Sequence, residues 1–231
     1  MRSARAIFIK QMRDVLKNRV VLIQFIMLPV LAFTMTELVA KTSDDIPNSM
    51  FVTMFAAMFV GMTPLLTTAG AIAEDREHKS LRFLVTAGVR QHEYLLGVGG
   101  FVLLICAVVS VPFGLIGGFG GADLLKFILV MILGAATSII LGAAVGIFSK
   151  NQQMANAISM PLFMVLSITP MIAQFNDTAE KIASILYTQQ VNTIVNDFSA
   201  VTTGPLLIIL ANAAVFTLLF AVAYKKNGLR G

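Results

Sequence analysis

Charge is scarce in this sequence. Only 13% of its 231 residues are Asp, Glu, Lys or Arg, against roughly 25% in a soluble globular domain. With 57% hydrophobic residues and a mean hydropathy of +0.85, this scarcity excludes a soluble domain and predicts an integral membrane protein. Cysteine is nearly absent: Cys106 stands alone, so no intramolecular disulfide can form, and its apolar surroundings make it a small packing residue. Histidine is confined to His78 and His92, both in one charged stretch. No histidine can therefore reach a serine at membrane depth, which excludes intramembrane Ser-His hydrolysis, and the pair lacks the neighbours of a metal-ligand set. No G-x-x-x-x-G-K-[ST] run occurs, so the chain does not bind ATP in the Walker manner. The centres of the apolar segments carry no Asp, Glu, Lys, Arg or His, which argues against a proton relay. They also contain nothing resembling a selectivity filter or a charged ring, which argues against a passive channel.

What the chain has in abundance is long apolar blocks. A helix rises about 1.5 Å per residue and must cross about 30 Å of hydrocarbon, so each pass needs about 20 apolar residues. Six segments qualify: residues 20–40, 50–73, 94–117, 124–148, 157–175 and 205–224. The expected fold class is all-α, a polytopic membrane protein forming one transmembrane domain over 1–231. The blocks show no period of two, which excludes a barrel.

Before the first span, residues 1–19 carry Arg2, Arg5, Lys10, Arg13, Lys17 and Arg19, with Phe8, Met12, Val15 and Leu16 near helical spacing. This reads as a basic amphipathic helix lying in the membrane interface. A basic start before an apolar run also resembles a signal peptide, but no clear A-x-A site follows, and retention as a first span is expected.

The basic residues set the orientation. Fourteen of the seventeen Lys and Arg fall in the N-terminal helix, in the 74–93 loop, at Lys150, or at Lys225, Lys226 and Arg230; Lys41, Lys126 and Lys181 lie on the opposite side. By the positive-inside rule, both termini and the 74–93 loop are cytoplasmic, in a multi-pass protein of the cell membrane. The same rule accounts for the net charge of +5, so no nucleic-acid partner is expected.

Gly134, Ser138, Gly142 and Gly146 recur every fourth residue, a small face that lets another helix approach closely, either within one subunit or across a dimer seam. Pro64, Pro112, Pro161 and Pro170 fall inside spans, where each removes a backbone hydrogen bond. Residues 176–204 are too polar to span. Ile182, Ile185 and Leu186, then Val191, Ile194, Val195 and Phe198, suggest two short amphipathic helices. These are expected to rest on the outer leaflet or to dip into it as extracellular re-entrant helices shielded by protein.

The charged stretch Glu74 to Gly97 is an aqueous loop between two spans. Glu74, Asp75 and Glu77 suit the start of a helix, Leu81, Leu84 and Val85 form an apolar face, and Gly88 suits its end. That helix can lie against headgroups or present its apolar face to a cytoplasmic partner.

The run Asp75-Arg76-Glu77-His78-Lys79-Ser80-Leu81-Arg82-Phe83-Leu84, followed by Gly88, Arg90, Glu93, Leu95, Leu96 and Gly97, resembles the signature of type-2 ATP-binding-cassette (ABC-2) transporter permeases. Lys79 stands where that family often has Gly, and Val89 where Pro is common. The resemblance extends to the basic N-terminal helix, the six-span order and the amphipathic pair before the last span. It implies a permease that works as a homodimer or heterodimer with a separate ABC ATPase subunit. The chain itself is then no enzyme and holds no cofactor; ATP and Mg sit on the partner. On this resemblance the loop is a cytoplasmic coupling helix, with Leu81, Leu84 and Val85 buried against the ATPase and Glu74, Asp75, Arg76 and Glu77 at the hinge from the second span. An apolar pathway suits export of an amphipathic or hydrophobic substrate such as a drug, a peptide or a lipid-linked molecule. The alternative is a non-transporting immunity or scaffold subunit.

Overall fold

A computed structural model describes residues 2–42, 46–47, 49–80, 88–198 and 203–227. Among these the regular structure is helical: α1 (Arg2–Lys17), α2 (Arg19–Leu38), a 3-10 turn (Ala40–Thr42), α3 (Met50–Glu77), α4 (Gln91–Ile116), α5 (Gly121–Phe148), α6 (Gln152–Ala173), α7 (Asp177–Ala183), α8 (Tyr187–Asn196) and α9 (Thr203–Asn227). Six of them, α2, α3, α4, α5, α6 and α9, are long and apolar enough to cross a membrane.

Local chemistry sets several boundaries. The Asn18 side chain accepts from the Val20 and Val21 amides at 3.1 and 3.3 Å and breaks the chain into α1 and α2. Asn151 caps α6 through the Met154 amide, and Asn176 caps α7 through Thr178 and Ala179. Gly118 and Gly121 take positive φ in the turn from α4 to α5, a conformation open to glycine at little cost. Helices α2, α3, α4 and α6 run on through Pro29, Pro64, Pro112, Pro161 and Pro170.

The centre of the bundle is α3 against α5. Within their most apolar windows 67% of α3 and 61% of α5 is buried, against 6% for α9. Helix α4 packs on α5 and α1, α6 packs on α3, and α9 leans on α5 and α8. Leu218, Val20 and Leu96 on the outer faces are two-thirds exposed, as befits side chains whose solvent is lipid.

Helix α1 packs along α4, so one of its faces meets protein. The face turned inward carries Ile7, Gln11 and Val15, all buried. Leu16, assigned from spacing to the apolar stripe, is instead 57% exposed, while Phe8 meets Phe101 edge to face at 5.5 Å. Gly97 sets the approach: a side chain there would reach Ile7 at 2.7 Å.

Between α6 and α9, α7 leaves Ile182 and Ile185 exposed, whereas α8 buries Val191, Ile194 and Val195 against α3, α5, α6 and α9. In mid-α9, Asn212 donates to the Ile185 carbonyl at 2.9 Å, tying the α7–α8 junction to the last span.

Candidate functional site

From sequence, Glu74 to Glu77 belong to the start of a loop helix. In the structure they form the last turn of α3, which runs to Glu77. Acidic side chains at a helix C-terminus face the negative end of the helix dipole, so other elements must compensate them. Asp75, only 5% exposed, receives Lys10 Nζ from α1 on Oδ1 and the Tyr94 hydroxyl from α4 on Oδ2 at 2.8 Å. Glu77 accepts the Gln152 amide at 3.1 Å. Gln152 is the first residue of α6, so a carboxylate at the unfavourable end of its own helix satisfies an orphan donor at the favourable end of another.

The last turn of α3 is therefore held to α1, α4 and α6. Lys10 is raised above the ordinary lysine value. Burial, the largest single influence, lowers it, but the hydrogen bond and charge of Asp75, with the charges of Asp14 and Glu74, more than offset this. Glu74 is exposed, and one Arg76 guanidinium nitrogen is buried without a partner among the described residues.

Beyond Glu77 the chain turns at Lys79, whose φ of 58° is left-handed. Leu81, Leu84 and Val85 lie outside the described residues. The chain re-enters at Gly88, with φ 77°, and α4 opens with Glu93 in its first turn facing the Arg90 amide at 3.5 Å. Both ends of the loop are thus defined, and one buried carboxylate with one tyrosine hydroxyl joins them.

Sequence reasoning singled out Asp75 and Glu77 but missed Lys10, Tyr94 and Gln152. Their contacts reach over 65, 19 and 75 positions, beyond any helical period. A faint signal existed in Tyr94, a polar-tipped ring at the first turn of an apolar span, where a buried hydroxyl needs a partner.

The small residues of α5 face α3. A side chain at Gly142 would meet the Leu65 carbonyl at 2.6 Å; one at Gly146 would meet Ile72 at 2.7 Å and the Ala69 carbonyl at 2.9 Å; one at Gly134 would meet Val60 at 2.6 Å and Val191 at 2.8 Å. Ser138 does more than keep the face small. Pro64 has no N–H to offer the Val60 carbonyl four residues earlier, and the Ser138 hydroxyl donates to that carbonyl at 2.5 Å. Tyr187, fully buried at the start of α8, stands 2.6 Å from the same hydroxyl. Because Ser138 spends its proton on Val60, Tyr187 is the donor in that second bond.

Among the described residues no cluster of His, Cys, Asp and Glu could hold a metal. The geometry is mechanical: α3 packs closely on the small face of α5, and its last, charged turn gathers α1, α4 and α6. No curated protein matches the chain. A family model described as ABC-2 family transporter protein matches residues 10–224, from Lys10 through all six apolar helices to Tyr224. The match takes in Lys10, Asp75 and Tyr94 together with the spans they join, and the chain, a multi-pass membrane component of a transport system, belongs to the ABC-2 family of transporter proteins.

Proposed function

We propose that the chain is the permease of an ABC exporter, working as a pair with a second copy or a related permease and driven by a separate ATPase that carries the ATP and Mg. The substrate is amphipathic or hydrophobic, a drug, peptide or lipid-linked molecule, and it leaves the cell. The distribution of Lys and Arg supports cytoplasmic termini and a cytoplasmic 74–93 loop. The burial of α8 within the bundle supports re-entrant helices on the outer side.

The observation that carries the reading is the convergence on Asp75 and Glu77 of α1, α4 and α6. Closure of the ATPase pair moves the loop. Because both loop ends are tied to one another and to the interfacial helix, the displacement enters three helices besides α3 at once. On this reading Leu81, Leu84 and Val85 are the docking face, and Glu74 and Arg76 belong to the same turn.

The test is affinity purification of the whole complex in mild detergent, with ATPase turnover and export measured in parallel. Leu81→Asp with Leu84→Asp should release the ATPase or uncouple its turnover while leaving membrane insertion intact. Unchanged co-purification and unchanged export in that double variant would remove the docking assignment. A bound ATPase whose turnover never responds to this chain would favour the scaffold reading instead.

A further inference from the structure

A cleft of about 570 Å³ opens where α1 bends into α2, walled on its far side by α3 and the start of α6. Asp14, Glu74, Lys17 and Arg19 all line it, and Thr67 and Gly70 lie further along α3. Lys17 ends α1, Arg19 begins α2, and Glu74 lies in the last turn of α3. The four charges therefore sit where apolar spans give way to polar surroundings, the depth of lipid headgroups.

Two acids and two bases line this cleft, and among the described residues no ion pair joins one of these acids to one of these bases. Among the described residues Lys17, Arg19 and Glu74 make no ion pair, and Asp14 lies 3.7 Å from a Lys10 whose closer contact is Asp75. Deeper in, the Thr67 hydroxyl is buried with no hydrogen-bond partner among the described residues. Gly70 leaves room beside it: a side chain there would meet only the Gln152 side-chain Nε2, at 3.7 Å. An anion alone would meet Asp14 and Glu74, and a cation alone would meet Lys17 and Arg19. A molecule carrying both charges satisfies all four.

We propose that this cleft binds a zwitterionic head group with a phosphate and a primary ammonium, the phosphoethanolamine type. The phosphate is taken by Lys17 and Arg19 and the ammonium by Asp14 and Glu74. A primary ammonium is required because its N–H groups donate to carboxylates, which a trimethylammonium cannot do. Val20, Val21 and Leu66 continue the lining as an apolar wall, fit for the first carbons of an acyl chain. The head group therefore belongs to a phospholipid seated against α2.

The experiment uses the purified full chain in detergent, with binding of dioctanoyl phosphatidylethanolamine followed by native mass spectrometry and by the thermal midpoint. The phosphatidylcholine and phosphatidylglycerol analogues should bind about tenfold more weakly or worse, a loss that matches one charge-assisted contact. Asp14→Asn with Glu74→Gln should reduce phosphatidylethanolamine binding by a similar factor. Gly70→Leu, which fills the cleft without removing a charge, should do the same, and it keeps the test open if the double variant fails to fold. Glycerophosphoethanolamine distinguishes the sources: weak competition assigns the site to the membrane lipid, and competition at equal affinity overturns the lipid in favour of a free solute. Phosphatidylglycerol binding as tightly as phosphatidylethanolamine, or binding unmoved by Gly70→Leu, would overturn the site itself.

Discussion

Tyr94 donates its hydroxyl to Asp75 across 2.8 Å, joining the last turn of one membrane helix to the first turn of the next at the two ends of the loop between them. The same carboxylate takes Lys10 from the N-terminal helix. Removing the carboxylate strands two donors at once. Asp75→Ala should cost about 1–3 kcal/mol of stability, below the ~3–5 kcal/mol of a broken fully buried pair because Lys10 is 48% exposed. Tyr94→Phe should cost about 1 kcal/mol. A double-mutant cycle on thermal or denaturant unfolding should return a non-zero coupling between the two residues.

The tie to Lys10 has a defined pH dependence. The folded pKa of Lys10 lies above its ordinary value, so its contribution is fully present below the unfolded lysine pKa of about 10.4 and is lost as pH rises through the folded one. The stability difference between wild type and Lys10→Met should be flat from about pH 6 to about pH 9 and shrink only in the alkaline range above the ordinary lysine value. Thermal midpoints across a pH series test this, and a difference that fades near neutrality would contradict the assignment.

Ser138 stands in for the amide that Pro64 lacks. Ser138→Ala should leave the Val60 carbonyl buried and unpaired and cost about 1–3 kcal/mol. Restoring the amide with Pro64→Ala should make the same Ser138→Ala change cheaper by about 1 kcal/mol. Unfolding of the four proteins of the cycle measures the rescue.

Gly142 and Gly70 make an internally controlled pair. A methyl at Gly142 meets the Leu65 backbone at 2.6 Å, while one at Gly70 meets a side-chain amide at 3.7 Å. Gly142→Ala should therefore destabilise by about 1–3 kcal/mol. Gly70→Ala should be neutral or stabilise by up to about 1 kcal/mol through helix propensity. The ordering of the two thermal midpoints decides the matter.

Lys79 occupies a left-handed conformation that costs a side chain about 1–2 kcal/mol. Part of any gain from glycine is returned through the unfolded chain. The expected order of stability is Gly at least equal to Lys, Ala close to Lys, and Val lowest. Unfolding midpoints for Lys79→Gly, Lys79→Ala and Lys79→Val would establish that order.

Residue order alone determined the all-helical membrane architecture, since the length of an apolar run decides whether a helix can cross hydrocarbon, and six runs suffice. It also marked the 74–93 stretch, because charges cannot lie in lipid, and the small face of α5, because the spacing of Gly134, Ser138, Gly142 and Gly146 is helical. What it could not determine is which helix each face meets. The Lys10, Tyr94 and Gln152 contacts, the choice of Ile7, Gln11 and Val15 as the inner face of α1, and the use of Ser138 to satisfy Val60 all depend on tertiary packing. Periodicity reports how a side chain partitions between polar and apolar surroundings. It carries no information on which donor, tens of residues away, will reach a particular carboxylate. Asp75 illustrates the division: its charge excluded it from the bilayer in the sequence, and only the packing of α1, α3 and α4 turned that excluded charge into the joint between the loop's two ends.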